Sequence, residues 1–549
     1  LTDVTITIGN VQEAIAGALP DRMAVIHGSR RISYGDLTDR TRQLANLLLA
    51  HGVTIHAERA MLPGWESGQD HVAILMHNCP EYLETLLGAY KARAVPFNVN
   101  YRYVAEEMAY LFGDARPKAI VYQAKFAGVL AEVLASTDPP ALLLQVADGS
   151  GAALLPGALD YEAALADMPM TLPDVSPSPD DIYCMYTGGT TGMPKGVLWR
   201  QVDCIAANLD ARGRDGKPLP DLAAFVARAY RRTHNHVLPA PPFMHGAGCQ
   251  TALSAFCSGN TVVIPGVPDR LDVDDLLATV VRERVSMLLV IGDAYGRPLV
   301  EAARKGGHDL SSLTAIYNSG AILSPTVKSA LLDLAPNARV IDALGASESG
   351  PQAFQITGRD GDVPRPAFQI ASDAAVLSDD LSAELAPGHA GFGWLAKGGT
   401  VPMGYLNDPQ KTAATFPTVN GVRYVVPGDR VRLLADGTLE FHGRESFTIN
   451  SGGEKIFAEE VEQAIKQHPD VADVIVTGRA SERWGQEVVA IVQPVNGVVL
   501  DRADLLAEAE RHIARFKLPK AFLFLDAIQR GPSGKTDAKW ARARAGDAT

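Results

Sequence analysis

The stretch 181–198, DIYCMYTGGTTGMPKGVL, carries the densest chemistry in the chain. An apolar run leads into Thr187-Gly188-Gly189-Thr190-Thr191-Gly192, and Met193-Pro194-Lys195-Gly196 follows. Glycines let a backbone turn sharply and aim successive N–H groups at one anion. The hydroxyls of Thr187, Thr190 and Thr191 add donors, and Lys195 adds a point charge. That set suits the terminal phosphates of a nucleotide. It is not a Walker A loop, which needs Lys-Ser or Lys-Thr after its last glycine, whereas Gly196 follows Lys195 here.

Other stretches carry groups of the same kind. Gly531-Pro532-Ser533-Gly534-Lys535-Thr536-Asp537 imitates the end of a Walker loop, but the position five before Gly534 is Gln529, so that reading fails. In 342–350, DALGASESG, Glu348 is a hard oxygen donor of the kind that Mg²⁺ prefers. Pro427-Gly428-Asp429-Arg430 sets a carboxylate after a glycine turn, and Asn318-Ser319-Gly320-Ala321 ends an apolar run in small residues that a flat ring can approach. Pro241 to Gly248, PPFMHGAG, contains His245, with His234 and His236 upstream. Three histidines raise the thought of zinc, but they have neither a fixed ligand spacing nor a cysteine or aspartate partner.

T-G-G-T-T-G-M-P-K-G resembles the signature of the adenylate-forming enzymes: acyl-CoA synthetases, peptide-synthetase adenylation domains and beetle luciferases. Its Gly188-Gly189 pair, where Ser or Thr is commoner, is similar to a branch of bacterial acyl-CoA synthetases acting on lipid or steroid-derived acids. The other stretches follow in that family's order. The resemblance implies that residues 187–192 and Lys195 hold pyrophosphate and that His245 lines the acyl site near the reacting carboxylate. It implies that Ser319, Gly320, Ala321, Asp342 and Leu344 surround adenine and acyl chain. Ser347 would contact the α-phosphate and Glu348 would hold Mg²⁺. Asp429 would accept the ribose hydroxyls, and Arg444 would reach ribose or phosphate. Lys535 would be the catalytic lysine, and Gly453 and Lys455 would face the coenzyme A channel. Two positions depart from the pattern: Leu344 stands where an aromatic ring usually stacks on adenine, and Ser446 stands at the hinge, where Asp or Lys is commoner.

The chemistry so implied uses ATP, Mg²⁺ and a carboxylic acid, with coenzyme A as the acceptor substrate. A carboxylate becomes an acylating agent once AMP is its leaving group, and positioning and charge stabilisation suffice without a protein nucleophile. Three alternatives stay open: transfer to a carrier-protein arm, luciferase-like oxygen chemistry, and a catalytically silent nucleotide-binding regulator. The region 237–344 is apolar and small-residue-rich, which points to a medium- or long-chain, aromatic or steroid-derived acid.

Elements that position these residues alternate along the chain. Helices are expected at 33–53, 80–91 and 274–284, and strands at 71–76, 94–97, 262–264, 286–291, 313–318 and 339–342. This rhythm predicts a large α/β domain built on parallel-rich sheets. Regular structure is weaker over 137–180, and 207–220 reads as a surface excursion. After about 401 short strands and turns at 404–416 and 428–443 imply a small β-rich subdomain, with a turn at Asp436-Gly437. A fresh start follows, with helices at 458–467 and 504–515 and strands at 471–478 and 487–493. The predicted division is a large domain over 1–443, a hinge linker over 444–448, and a small mobile α+β domain over 449–549. The segments 56–70 and 207–236 are assigned to the pocket mouth or to the contact of a homodimer.

Composition bounds the rest. The chain has 549 residues, 47% hydrophobic and 21% charged, which is more than one core of roughly 250 to 300 residues holds. A net charge of −13 lacks the basic footprint that nucleic acid demands. The 5 cysteines, sparse and without a C-x-x-C pair, fit a reducing cytoplasm. No basic start with an apolar core is present at the first residues, and no run reaches the length of a membrane span, so neither secretion nor a span is expected.

Overall fold

A computed structural model describes residues 5–187, 194–213, 216–321, 323–359, 367–444, 448–451, 454–481, 485–513, 515–530 and 536–548. Gly188, Gly189, Thr190, Thr191, Gly192, Ser446, Gly453 and Lys535 therefore lie outside the described residues. For Arg444 and Lys455 the backbone alone is described.

The helix Tyr34–Ala50 starts where its capping chemistry dictates. Ser33 accepts from the Asp36 amide at 3.0 Å, the Asp36 carboxylate accepts from the Ser33 amide at 3.2 Å, and Gly52 follows the helix at a φ of +74°. This helix packs on Pro80–Lys91, whose residues are all buried. Charge is tolerated there because it is paired. Lys91 Nζ lies 2.5 Å from Glu13, and buried Glu84 accepts from Arg40 at 2.7 Å and from Tyr161 at 2.9 Å.

Two parallel sheets flank this layer. One runs Val95–Asn98, His71–Leu75, Pro117–Gln123, Leu142–Val146, Ala158–Asp160. The other places Met23–His27, Thr261–Ile264, His236–Pro239, Met287–Val290, Ala315–Ser319 and Arg339–Ala346 side by side, all parallel. The strands His71–Leu75, Val95–Asn98, Leu142–Val146 and Thr261–Ile264 are buried without interruption, as strands covered by helices on both faces must be. A third sheet is small and antiparallel, with Ile182–Thr187 beside Lys195–Arg200 and Gly404–Tyr405 at its edge.

Four sequence expectations need correction. Within 137–180, Leu142–Val146 is a buried strand; its LLLQV run is too short to signal itself among Pro, Ala and Gly. Within 404–416 only two residues are strand, and Pro409–Thr415 is a helix capped by Asp408, whose side chain accepts from the Lys411 amide. The β-rich character begins near Gly350, not near 401. Gly350–Thr357 pairs antiparallel with Arg339–Ala346, so the second parallel sheet continues without a break through Ala367–Ile370, Thr438–Arg444 and Asp429–Leu433. In the 207–220 excursion Leu209 and Ala211 are buried in the main core.

Beyond residue 448 the chain has its own core, in which Ile456, Val461, Val474, Val488, Val492 and Leu505 take part. It covers a five-stranded sheet that includes the long hairpin Val471–Ser481 and Gly485–Pro494. No helix among the described residues is long and apolar enough to cross a membrane.

Candidate active site

Thr187 and Lys195 are cross-strand partners, so the glycine-rich segment between them leaves and returns at one end of the third sheet. Asn98, at the carboxyl end of its strand, bolts that sheet in place. Its side-chain amide donates to the carbonyls of Tyr186 at 2.8 Å and Met244 at 2.7 Å, and its carbonyl accepts from the Tyr186 amide at 2.8 Å. One buried amide thus ties the strand before Gly188 to the segment before His245.

The 241–248 segment is fixed from a second side. Asn78 accepts from the Phe243 amide at 2.6 Å and donates to Pro241 O at 3.2 Å. His245 is half-buried and stands immediately before the helix Gly246–Cys257. A Cβ on Gly248 would lie 2.5 Å from Pro242 O, so this tight turn into the helix needs glycine. A small, open cleft lies beside Pro242, lined by Tyr101, Arg102, Asp269, Arg270, Asp272 and Tyr295 among others.

Ser347 and Glu348 meet this assembly. A Cβ on Gly246 would lie 3.1 Å from Ser347 Oγ, and Trp199 Nε1 donates to Ser347 O at 3.0 Å. Tyr405 donates its hydroxyl to Glu348 Oε1 at 3.0 Å, and Lys195 Nζ stands 5.7 Å from the centre of the Tyr405 ring. Lys195 is also 3.6 Å from Asp408 Oδ2, with both side chains about a third exposed. Burial first, and then the Glu348 carboxylate, push the Tyr405 phenol well above its ordinary range, so it stays a proton donor.

Ser319 lies beside Ala343 in parallel register, which puts Ser319-Gly320-Ala321 next to Leu344. Gly320 takes a φ of +80°, the left-handed conformation that favours glycine. Asn318 shapes the turn, donating to Ala321 O at 3.0 Å and to Asp342 Oδ1 at 2.9 Å while accepting from the Gly292 amide at 2.7 Å. Asp342 is buried and also meets Lys328 Nζ at 2.7 Å. In this arrangement its carboxylate is engaged by protein groups. Leu344 packs against the core of Val431 and Leu439, on the strands that carry Asp429 and Arg444. Those two face each other in antiparallel register, and Asp429 is buried.

The structure therefore gathers Thr187, Lys195, His245, Ser347 and Glu348 at one place and Ser319–Ala321, Asp342 and Leu344 beside it. Asp429 and Arg444 connect through the Leu344 core. Lys455, in the strand Glu454–Phe457, belongs to the separate final core's sheet. Two of the three histidines raised as zinc ligands are otherwise engaged: the His234 ring bonds Thr261 Oγ1 at 2.9 Å and the His236 ring bonds Glu283 O at 2.5 Å. Among the described residues no group of three or more His, Cys, Asp or Glu is placed to hold a metal by itself. Sequence reading missed Asn98, Tyr405, Trp199 and Lys328. Asn98 had one legible signal, an amide at the carboxyl end of a buried parallel strand, where α/β sites form.

Comparison with known proteins shows the family. Residues 12–406 match the family "AMP-binding enzyme", and residues 460–535 match "AMP-binding enzyme C-terminal domain". The medium-chain acyl-CoA ligase Mig of Mycobacterium avium is 48% identical over 545 residues, covering 99% of each chain. The medium/long-chain-fatty-acid–CoA/3-oxocholest-4-en-26-oate–CoA ligase of Mycobacterium tuberculosis is 38% identical over 548 residues, covering 98% of this chain and 96% of that one. The crystal structure of the anthranilate CoA ligase AuaEII with anthranoyl-AMP shares the fold, with a TM-score of 0.83 at 18% identity over 99% of this chain and 98% of that one. With one family match containing the residues gathered around Lys195 and Glu348 and a second lying in the final core, the chain belongs to the AMP-binding enzymes, the adenylate-forming ligases, in the acyl-CoA synthetase branch that resembles fatty- and steroid-acid CoA ligases.

Proposed function

We propose that this enzyme converts a medium- or long-chain, aromatic or steroid-derived carboxylic acid, with ATP and coenzyme A, into its acyl-CoA, AMP and diphosphate. The observation that carries the reading is the meeting of Lys195, Tyr405 and Glu348, from three distant segments, at the mouth of the glycine-rich segment. The acid class is supported by the small, apolar 237–344 region and by the names of the relatives at 48% and 38% identity.

In the first step a carboxylate oxygen attacks the α-phosphate of ATP and the bond to pyrophosphate breaks. Residues 187–192 and Lys195 take up the departing charge. His245 orients the carboxylate, Ser347 binds the α-phosphate, and Lys535 neutralises the approaching oxygens. Asp429 and Arg444 hold the ribose. Glu348 suits Mg²⁺, because a half-buried single carboxylate with substrate phosphates nearby is the donor set this ion accepts. When bound, the ion supplies charge neutralisation at the phosphates. Tyr405 fixes the Glu348 carboxylate by the hydrogen bond to Oε1.

In the second step the small domain turns about the 444–448 linker, and Gly453 and Lys455 face the acceptor. The coenzyme A thiolate attacks the acyl carbonyl and AMP leaves.

The test is carboxylate-dependent ATP–pyrophosphate exchange across a panel of acids, followed by a thioester assay with coenzyme A. Lys535→Ala should lose exchange and keep ATP binding, while thioester formation from supplied acyl-adenylate survives. Wild-type protein that exchanges with no acid, or equal losses in both half-reactions, would overturn the reading.

A further inference from the structure

Two charged side chains that belong to none of the predicted stations meet between the large α/β region and the final domain. Asp293 stands in the first turn of the helix Gly292–Gly306, with its side chain 5% exposed. Its Oδ1 accepts from the Ser324 amide at 2.7 Å, and its Oδ2 faces Arg297 Nε at 3.3 Å and Lys466 Nζ at 4.0 Å. Lys466 closes the helix Ala458–Ile465 and is itself only 12% exposed. It also lies 3.1 Å from Asp473 Oδ1. Asp473 in turn accepts from Arg530 through both oxygens at 2.6 Å. Charges alternate along the line Asp293, Lys466, Asp473, Arg530, and buried Glu462 adds a third carboxylate whose Oε1 accepts from the Val476 amide at 2.8 Å.

The position of this line is informative at both ends. At one end, the Gly292 amide bonds Asn318 and Asp293 bonds Ser324, so the 292–293 turn holds both flanks of the Ser319-Gly320-Ala321 turn. At the other, Arg530 bridges Thr536, and these are the described residues that flank the predicted Lys535. Other contacts between the two bodies include Phe457 against Phe392 and against His442, which stands beside the linker. Asp293 and Lys466 lie away from it, so a turn about the linker would part them. A half-buried lysine parted from one of two carboxylates loses compensation for its desolvation, which lets such a pair select one orientation in a way that apolar contacts do not.

We propose that Asp293 and Lys466 form the docking pair that holds the final domain in the carboxylate-activating arrangement, acting as positioning residues for the first half-reaction. The proposal rests on the two-step reading above. Asp293 serves the active site through the Ser324 and Gly292 turn on one side and receives the final domain on the other. It therefore couples the seating of that domain to the shape of the 319–321 turn.

A double-mutant cycle with Asp293→Asn and Lys466→Met tests this. Asparagine keeps the acceptor for the Ser324 amide, and methionine keeps the length of the lysine stem. Each single substitution should lower ATP–pyrophosphate exchange about tenfold and leave thioester formation from supplied acyl-adenylate within about twofold, and the double should be no worse than either single. A second readout needs no turnover: the distance between nitroxides at Met61→Cys and Val499→Cys, which are 79% and 97% exposed. The five native cysteines are buried, with thiol pKa values raised by burial, so label goes to the introduced sites. The distance distribution should be single in the parent and broadened in each substituted protein. Losses that multiply to about a hundredfold, an equal fall in the thioester step, or unchanged distances would overturn the docking pair. Absence of exchange in the parent with every acid would sink the two-step reading instead, while the distances would still decide whether Asp293 and Lys466 dock.

Discussion

Tyr405 reaches across 57 residues of chain to donate to Glu348 Oε1 at 3.0 Å, and the same ring lies beneath the Lys195 ammonium. A single phenol therefore touches the carboxylate assigned to Mg²⁺ and the lysine assigned to pyrophosphate. Its position comes from a two-residue strand, Gly404–Tyr405, in which Tyr405 pairs with Val197 beside Gly196 and Lys195.

Tyr405→Phe removes the hydrogen bond to Glu348, together with the one its oxygen shares with the Thr415 side chain, and keeps the ring against Phe416, whose centroid is 5.9 Å away. A hydrogen bond to a charged group contributes about 1.5 kcal/mol or more, so exchange should fall by about tenfold. The Mg²⁺ concentration for half-maximal exchange should rise, because the Glu348 carboxylate is less well fixed. A Mg²⁺ titration of the exchange rate reads both effects, and a rate and titration equal to those of the parent would count against the assignment.

Asn98→Ala leaves the buried Tyr186 amide and the carbonyls of Tyr186 and Met244 without their partner. Unsatisfied buried groups cost about 1–3 kcal/mol each, so a loss on the order of 3 kcal/mol is expected. Calorimetry should show a Tm lower by several degrees. The KM for ATP should rise as well, because the strand end at Thr187 loses its bolt to the 241–248 segment. A stable variant with an unchanged KM would remove Asn98 from the site.

Asp473 gives a pH dependence of defined sign. Burial alone would raise its pKa, but Lys466 and Arg530 overcome it and hold the carboxyl down at about 2, below the ordinary 3.8. The unfolded chain therefore binds more protons between about pH 4 and pH 2, and stability rises with pH across that window. The contribution, about 2 kcal/mol, is present above the unfolded pKa and is lost as pH falls toward 2. Asp473→Asn should lower the Tm near pH 7, and the difference from the parent should narrow below pH 4. A difference that stays constant down to pH 3 would show that the carboxylate charge is not what stabilises.

Periodicity and capping made most elements legible. The helix predicted at 80–91 has those bounds in the fold, because Pro80 suits a first helical turn and the apolar positions repeat at helical spacing. The strand at 142–146 and the helix at 409–415 were not legible. The first is a five-residue run with no flanking period, and the second depends on Asp408 capping a segment that otherwise reads as turns.

The sequence by itself determined the chemical types and their order: a glycine- and threonine-rich segment before Lys195, Glu348 after small residues, and Asp429 after a glycine turn. Those follow from local composition, because hydroxyls, backbone amides and charges act through their own chemistry wherever they stand. Tertiary structure alone decided which side chains hold them in place. Asn98 joins Tyr186 to Met244, Tyr405 joins Lys195 to Glu348, and Lys466 meets Asp293. Each of these contacts joins residues tens to hundreds of positions apart, and hydrogen bonds and ion pairs at about 3–4 Å depend on packed geometry that no local pattern of residues encodes.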